Sequence, residues 1–186
     1  MESISIELDE RSVAKIQAVM DKLEGGAFTR IALRSAVTKA ARAAQKELGA
    51  KAQETYSYKG SFRGEITRKY AGAGGAEATL KVRGPMHELT QFSTTTKPIV
   101  RAAVLRAGGL KEVIKNGNRA FAIRYKSGHE AIAVRKGQAR LPVESIYSAA
   151  SALLIGSEKV LGEKSDELGE LLNRHIQAEM DKILGG

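Results

Sequence analysis

Any side-chain catalysis in this chain of 186 residues would have to draw on three histidines, His87, His129 and His175, because there is no cysteine. That absence excludes disulfides, thiolate metal sites and a cysteine nucleophile together. None of the histidines stands at ligand spacing from a second ligand type, so no zinc-type arrangement can be drawn. His175 falls in a helical stretch and His129 in a turn, where satisfied or exposed structural roles outweigh catalytic ones. Gly72, Gly74 and Gly75 share only glycine content with a phosphate loop, since neither a Lys-Ser/Thr ending nor the ordered glycines of a dinucleotide fold follows. No Gly-x-Ser-x-Gly elbow occurs, and Ser127, Gly128 and His129 have no acid at a telling distance. The expectation is a protein without catalytic residues, cofactor or metal.

What the chain does offer is cationic charge, unevenly placed. The formal net charge is +9. Residues 1–26 carry 3 Lys and Arg against 6 Asp and Glu, and residues 141–186 carry 4 against 8, so both ends are acidic. Residues 27–69 carry 10 against 3 and residues 97–140 carry 11 against 2. Two basic blocks flanked by acidic ends suit an anionic neighbour, either nucleic acid or the acidic face of another subunit. A solvated basic surface is the alternative. The candidate contacts are Arg30, Arg34, Arg42 and Lys46 in the first block and Arg119, Arg124, Arg135 and Lys136 in the second. Helix-turn-helix spacing, zinc fingers and base-stacking aromatics are missing, so DNA contact would be to phosphates and blind to sequence.

Elements that position these groups follow from periodicity. Ile4, Ile6 and Leu8 alternate with polar residues as in a half-buried strand, and Val13, Ile16, Met20 and Leu23 then recur at helical spacing after an Asp9 cap. Residues 29–55 read as a long helix with a small-residue face (Leu33, Val37, Ala40, Ala41, Ala44, Leu48, Ala52) and a basic remainder. Residues 65–70, 78–83 and 100–106 read as short strands, and residues 119–125 and 130–135 as a hairpin turning through 126–129. Residues 93–97 read as a connector, 108–118 as a loop with a helical turn at 110–115, 144–155 as a helix, and 157–184 as a last helix. The fold class is α+β: a small antiparallel sheet or partial barrel packed by the long helix of the first half, with C-terminal helices. Residues 1–156 form the expected domain and 157–186 a helical arm. With aromatics at 5% and no Trp, the core must rest on Ala, Val, Ile and Leu. No apolar run approaches the roughly 18 to 20 residues that span a bilayer, and no signal peptide is visible, so a soluble protein made in the cytoplasm is expected, without a membrane partner.

One stretch is more specific. FAIRYKSGHEAIAVRKG (121–137) is followed closely by RLPVESIYS (140–148), and GPMHELTQF (84–92) lies upstream. This series resembles the minor tail protein Z family of long-tailed bacteriophages. There a Phe-led strand, a Gly-His turn, a Val-Arg-Lys-Gly strand end and an Arg-Leu-Pro-Ile-x-x-Leu-Tyr-Gly-Pro-Ser run follow a Gly-x-Pro-x-x-Leu-x-x-Phe segment. The residues carrying the match are Phe121, Gly128, His129, Arg140, Leu141, Pro142 and Tyr147. The order spans most of the chain, and the specific motifs about 40 residues. The chain departs from the family at Tyr147-Ser148-Ala149-Ala150, in place of Tyr-Gly-Pro-Ser, where the helix is expected to run on. It departs again at Leu89-Thr90-Gln91-Phe92, which keeps the apolar anchors and loses an acid. Gly128 would allow a tight turn, Pro142 would stiffen the approach to a helix, and Leu141, Ile146 and Tyr147 would clamp that helix on the sheet.

The resemblance implies a tail-completion or neck component of the virion, synthesised in the host cytoplasm. It would work as a ring-like homo-oligomer against tail terminator, tail tube or head-connector proteins, with non-specific contact to DNA in the channel. A sequence-independent DNA-binding protein is the alternative that charge alone favours.

Overall fold

The computed structural model describes residues 3–4, 13–14, 16, 27–70 and 78–184. The expected strand beyond Ile4, the helix residues Met20 and Leu23, and the glycines at 72, 74 and 75 lie outside the described residues. Helix α1 (Ala27–Thr55) buries Ala40, Ala41, Ala44, Leu48 and Ala52 of the small-residue face expected from spacing, and Ala36 beside them, while Leu33 and Val37 are half-buried. Small side chains let its backbone come close to its neighbours. At Gly49 a Cβ would stand 2.9 Å from the Arg63 Cβ, so the helix and the 3-10 turn Phe62–Glu65 meet where only glycine fits. Gln45 fastens the same junction, its Nε2 donating to the carbonyls of Arg63 and Ile66. The helix ends under Arg106, whose Nε lies 3.0 Å from the carbonyl oxygens of Gln53 and Tyr56, a cation on otherwise orphaned acceptors.

Beneath α1 lies an antiparallel sheet of β1 (Ser3–Ile4), β3 (Ala78–Val82) and β2 (Ile66–Tyr70), in the order β1-β3-β2. Leu80, Val82 and Ile66 are buried while most of β2 is wet, as a half-buried sheet requires. The remaining described strands form several small antiparallel sheets, and among the described residues no barrel closes. β4 (Met86–Glu88) pairs with β13 (Tyr147–Ala150), and β5 (Ser93–Thr95), β6 (Arg101–Ala103) and β7 (Lys111–Glu112) lie side by side. β8 (Ile114–Lys115) and β9 (Asn118–Arg119) make a ribbon. β10 (Phe121–Arg124), β11 (Glu130–Arg135) and β12 (Val143–Ser145) complete the set. Among the described residues the buried apolar side chains form three clusters. The larger core joins α1 to Phe62, Phe92 and the sheet, a smaller one gathers Leu89, Val100, Ala120 and Ile132, and a third joins Ala36 to Ile176 and Met180.

The α+β class holds, and of the hairpin expected over 119–125 and 130–135 the strands Phe121–Arg124 and Glu130–Arg135 pair, while four local expectations do not hold. Residues 93–97 are not a plain connector, because Ser93, Thr94 and Thr95 pair with Ala103, Ala102 and Arg101. Residues 110–115 form strands rather than a helical turn. Asn116 and Gly117 both adopt positive φ, 52° and 75°, the conformation a two-residue hairpin turn needs, and it folds β8 onto β9. Residues 144–155 are helical only in α2 (Ser151–Ile155); cross-strand pairing with β11 and β4 overrides the helix propensity of the alanines. The terminal helix α3 (Ser165–Leu184) starts eight residues later than expected, after turns at 157–164 that contain Gly162. Val160 in those turns and Leu168 in α3 belong to the larger core, and Ile176 and Met180 close on Ala36, so the segment expected as an arm lies packed along α1.

Two ion pairs set the direction of that packing. Lys39 reaches Glu179 on α3 and Lys51 reaches Glu163 in the turn that leads into it, so α1 and α3 run antiparallel. Lys182 and Lys39 together hold the Glu179 carboxyl down to about 2, from an ordinary 4.5. A depressed carboxyl contributes stability that is whole above pH 4.5 and is lost as pH falls toward 2. Glu179→Gln is therefore expected to be less stable than wild type at pH 6 and to converge with it by pH 2, as read from urea midpoints across that range. A gap independent of pH would show that charge at Glu179 does not bind the two helices.

Candidate interaction surfaces

The sequence left His87 without a partner, yet in the fold it is buried between polar side chains from two distant segments. Its Nε2 is 2.8 Å from Ser151 Oγ and 2.9 Å from Glu65 Oε1, and its ring lies against Tyr58 at 4.2 Å between centroids. Serine, histidine and glutamate together invite comparison with a hydrolytic triad, and the geometry rejects it. In a triad the acid and the serine occupy opposite nitrogens of the ring, whereas here both approach Nε2. Ser151 is fully buried, so no substrate carbonyl reaches its hydroxyl. The arrangement instead ties β4, α2 and the turn before β2 together through one imidazole. Gly84 makes room for it: a Cβ there would fall 2.5 Å from Glu65 Oε2 and 2.7 Å from Ser151 Oγ. Burial and pairing of this kind leave no signal in sequence spacing, because the three residues come from positions 65, 87 and 151. Of the remaining histidines, His175 is half-buried on α3. Among the described residues no group of three or more His, Asp or Glu could hold a metal ion, and no helix is long and apolar enough to cross a membrane.

His129 repeats the His-Glu contact at the surface. It follows Gly128, whose φ of +84° makes the tight turn expected of it, and its Nε2 stands 2.9 Å from Glu88 Oε1 while its ring stacks on Tyr125. Glu88 belongs to β4, which pairs with β13 in the register Tyr147↔Glu88 and Ala150↔Met86. The Leu89 N–H donates to the Ile146 carbonyl, and Leu89, Ile132 and Ile146 share one apolar cluster. Residues 84–92 and 121–148, distant in the chain, thus fold into one unit.

Within that unit several expected roles change. Leu141 and Tyr147 do not clamp a helix on the sheet: they are 70% and 48% exposed, and only Ile146 packs inward. Pro142 leads into β12 rather than a helix, and the loop it ends is closed by the Lys136 N–H donating to the Pro142 carbonyl at 3.1 Å. The chain after Tyr147 continues as strand because β4 is there to pair with it. Phe121 is half-buried beneath the Arg135 guanidinium, 5.6 Å from its ring centroid, a cation-π contact. Arg140 is exposed.

The basic candidates divide between two layers. Arg30 lies in the first turn of α1, and Arg34, Arg42 and Lys46 are exposed along it. Arg34 and Arg42 flank an open groove of about 340 Å³ lined also by Ile31, Ser35, Thr38 and Lys39. The second group sits on the strands that pack against β12 and the turn at 89–91, whereas α1 packs on α3, β2 and β3. There Arg119 pairs with Glu112 at 2.9 Å and Arg124 with Glu130 at 3.8 Å, and Lys136 is exposed. The cations of the second layer are partly neutralised by their own neighbours, while Arg34 and Arg42 have no carboxylate partner among the described residues. No protein-family model, no curated protein and no solved structure matches this chain.

Proposed function

We propose that this protein is a structural, non-catalytic component of a bacteriophage tail. It completes the head-proximal end or neck and helps join tail to head and pass DNA. The reading rests on the resemblance of residues 84–92 and 121–148 to the minor tail protein Z family. What supports it most is that these two segments meet through β4–β13, Leu89 and the His129–Glu88 contact. Pieces recognisable as a series are then pieces of one folded unit. A non-catalytic role agrees with the buried, wrongly arranged Ser151, His87 and Glu65. On this reading the protein is made in the host cytoplasm, ends in the virion, and works as a multimer beside tail terminator, tail tube or head-connector proteins around the DNA channel.

A second reading, a sequence-independent DNA-binding protein, is favoured by one observation: Arg34, Arg42 and Lys46 along one exposed stretch of helix. The two are separated by deleting the coding sequence from the phage or prophage that carries it and examining lysates by electron microscopy. The tail reading expects tails of normal length and filled heads that remain unjoined. Normal, joined particles, together with salt-sensitive duplex binding by the purified chain, would move the assignment to DNA binding.

A further inference from the structure

We propose that the groove on the first half of α1 receives the acidic start of α3 from a second copy of this chain. The inference deepens the reading of a protein that works in several copies and rests on that part of it. Three observations carry it. First, the groove combines charge with an apolar anchor. Ile31 is 66% exposed at its edge, with Arg34, Lys39 and Arg42 around it. Lys39 is engaged by Glu179 of its own chain, whereas Arg34 and Arg42 pair with no carboxylate among the described residues.

Second, the complement is present elsewhere on the same molecule. Asp166 and Glu170 are exposed in the first turns of α3, one helical turn apart, and neither is paired with a cation among the described residues. Arg34 and Arg42 are about 12 Å apart along the α1 axis, and Asp166 and Glu170 about 6 Å, from a rise of 1.5 Å per residue. An α3 start crossing the groove therefore fits both carboxylates between the two guanidiniums.

Third, the antiparallel packing of α1 on α3 puts these surfaces at opposite ends of the helix pair, since Lys39 meets Glu179 near one end and Lys51 meets Glu163 near the other. One copy cannot join its own groove to its own α3 start, and two copies can. Contacts between unlike surfaces repeat around a ring, or close on a two-fold axis that makes both at once. Duplex DNA would satisfy the arginines and leave Ile31 against a polar backbone, so a protein surface covers the groove better.

The test is charge exchange in the full-length chain, read by sedimentation in low salt. Wild type is expected to self-associate, and to do so more weakly in high salt. Arg34→Glu with Arg42→Glu, and separately Asp166→Lys with Glu170→Lys, should each weaken association at least tenfold while leaving the circular dichroism spectrum unchanged. Mixing the two variants should restore it, because the acidic groove of one then meets the basic α3 start of the other. The fourfold variant should also associate by itself. A wild type that stays monomeric, or variants that associate as wild type does, would overturn the proposal. So would a mixture no better than its parts, or loss of duplex binding with association intact. A monomeric chain whose deletion still leaves heads and tails unjoined would sink this contact and leave the tail reading standing. Self-association alongside a deletion without phenotype would do the reverse.

Discussion

Phe92→Ala is expected to destabilise the fold by about 3–5 kcal/mol, the range for deleting a buried aromatic ring. Phe92 is fully buried in the larger core, 5.6 Å from the Tyr58 ring, which in turn touches Phe62 at 4.8 Å and His87 at 4.2 Å. With only 5% aromatic residues in the chain, this cluster supplies a share of the packing that alanines along α1 cannot replace. Domains of this size are stable by about 5–15 kcal/mol, so the loss is about a fifth or more of the whole. Phe92 also closes the 84–92 segment, its N–H donating to the Leu89 carbonyl. Urea unfolding of the purified chain, wild type against variant, measures the difference. A cost under about 1 kcal/mol would mean that the aromatic cluster does not anchor the fold.

The second large effect is at His87, and His129 is its control. Both histidines hold a glutamate at 2.9 Å, so distance alone predicts equal consequences. Burial decides otherwise: the His87 side chain is 7% exposed and the His129 side chain 52%. Removing the His87 ring strands the Ser151 hydroxyl and leaves the Glu65 carboxylate only the long 3.4 Å contact from the Tyr58 hydroxyl, at about 1–3 kcal/mol for each under-satisfied group. His87→Ala should therefore cost about 2–6 kcal/mol. At His129 water replaces what is lost, and the alanine variant should stay within about 1 kcal/mol of wild type. Equal losses in parallel melts would contradict the view that the 87-centred cluster is structural and the 129 contact peripheral.

How much of this was legible from residue order depends on what kind of contact made each element. α1 was readable because its inward face is a continuous helical series from Ala36 to Ala52, a pattern local to the chain. The 121–135 hairpin was readable because a glycine turn separates two alternating runs. β4, β5, β12 and β13 were not, since strands of three or four residues carry too little periodicity and exist only because a distant partner offers hydrogen bonds. Asn116 and Gly117 did carry a local hairpin signal, which outranks the helical spacing of residues 110–115. Of the candidate contacts, exposure of Arg34, Arg42 and Lys46 followed from the polar side of α1. The partial neutralisation of Arg119 and Arg124 did not, because Glu112 and Glu130 become neighbours only through strand register. Leu141 and Tyr147 lie outside the core for a related reason: apolar type suggests burial, and nothing local reveals that β13 turns its tyrosine outward. The polar cluster at His87 joins three segments and could be read only from the fold.

The central claim, a structural component at the head-proximal end of a phage tail, is tested most directly by cryo-electron microscopy of purified particles from the phage or prophage that encodes this chain. The account predicts density at the tail–head junction, in several copies around the DNA channel, into which the α1–α3 pair and the joined 84–92 and 121–148 unit fit. Particles that contain no copy of the chain, or carry it away from that junction, would contradict it.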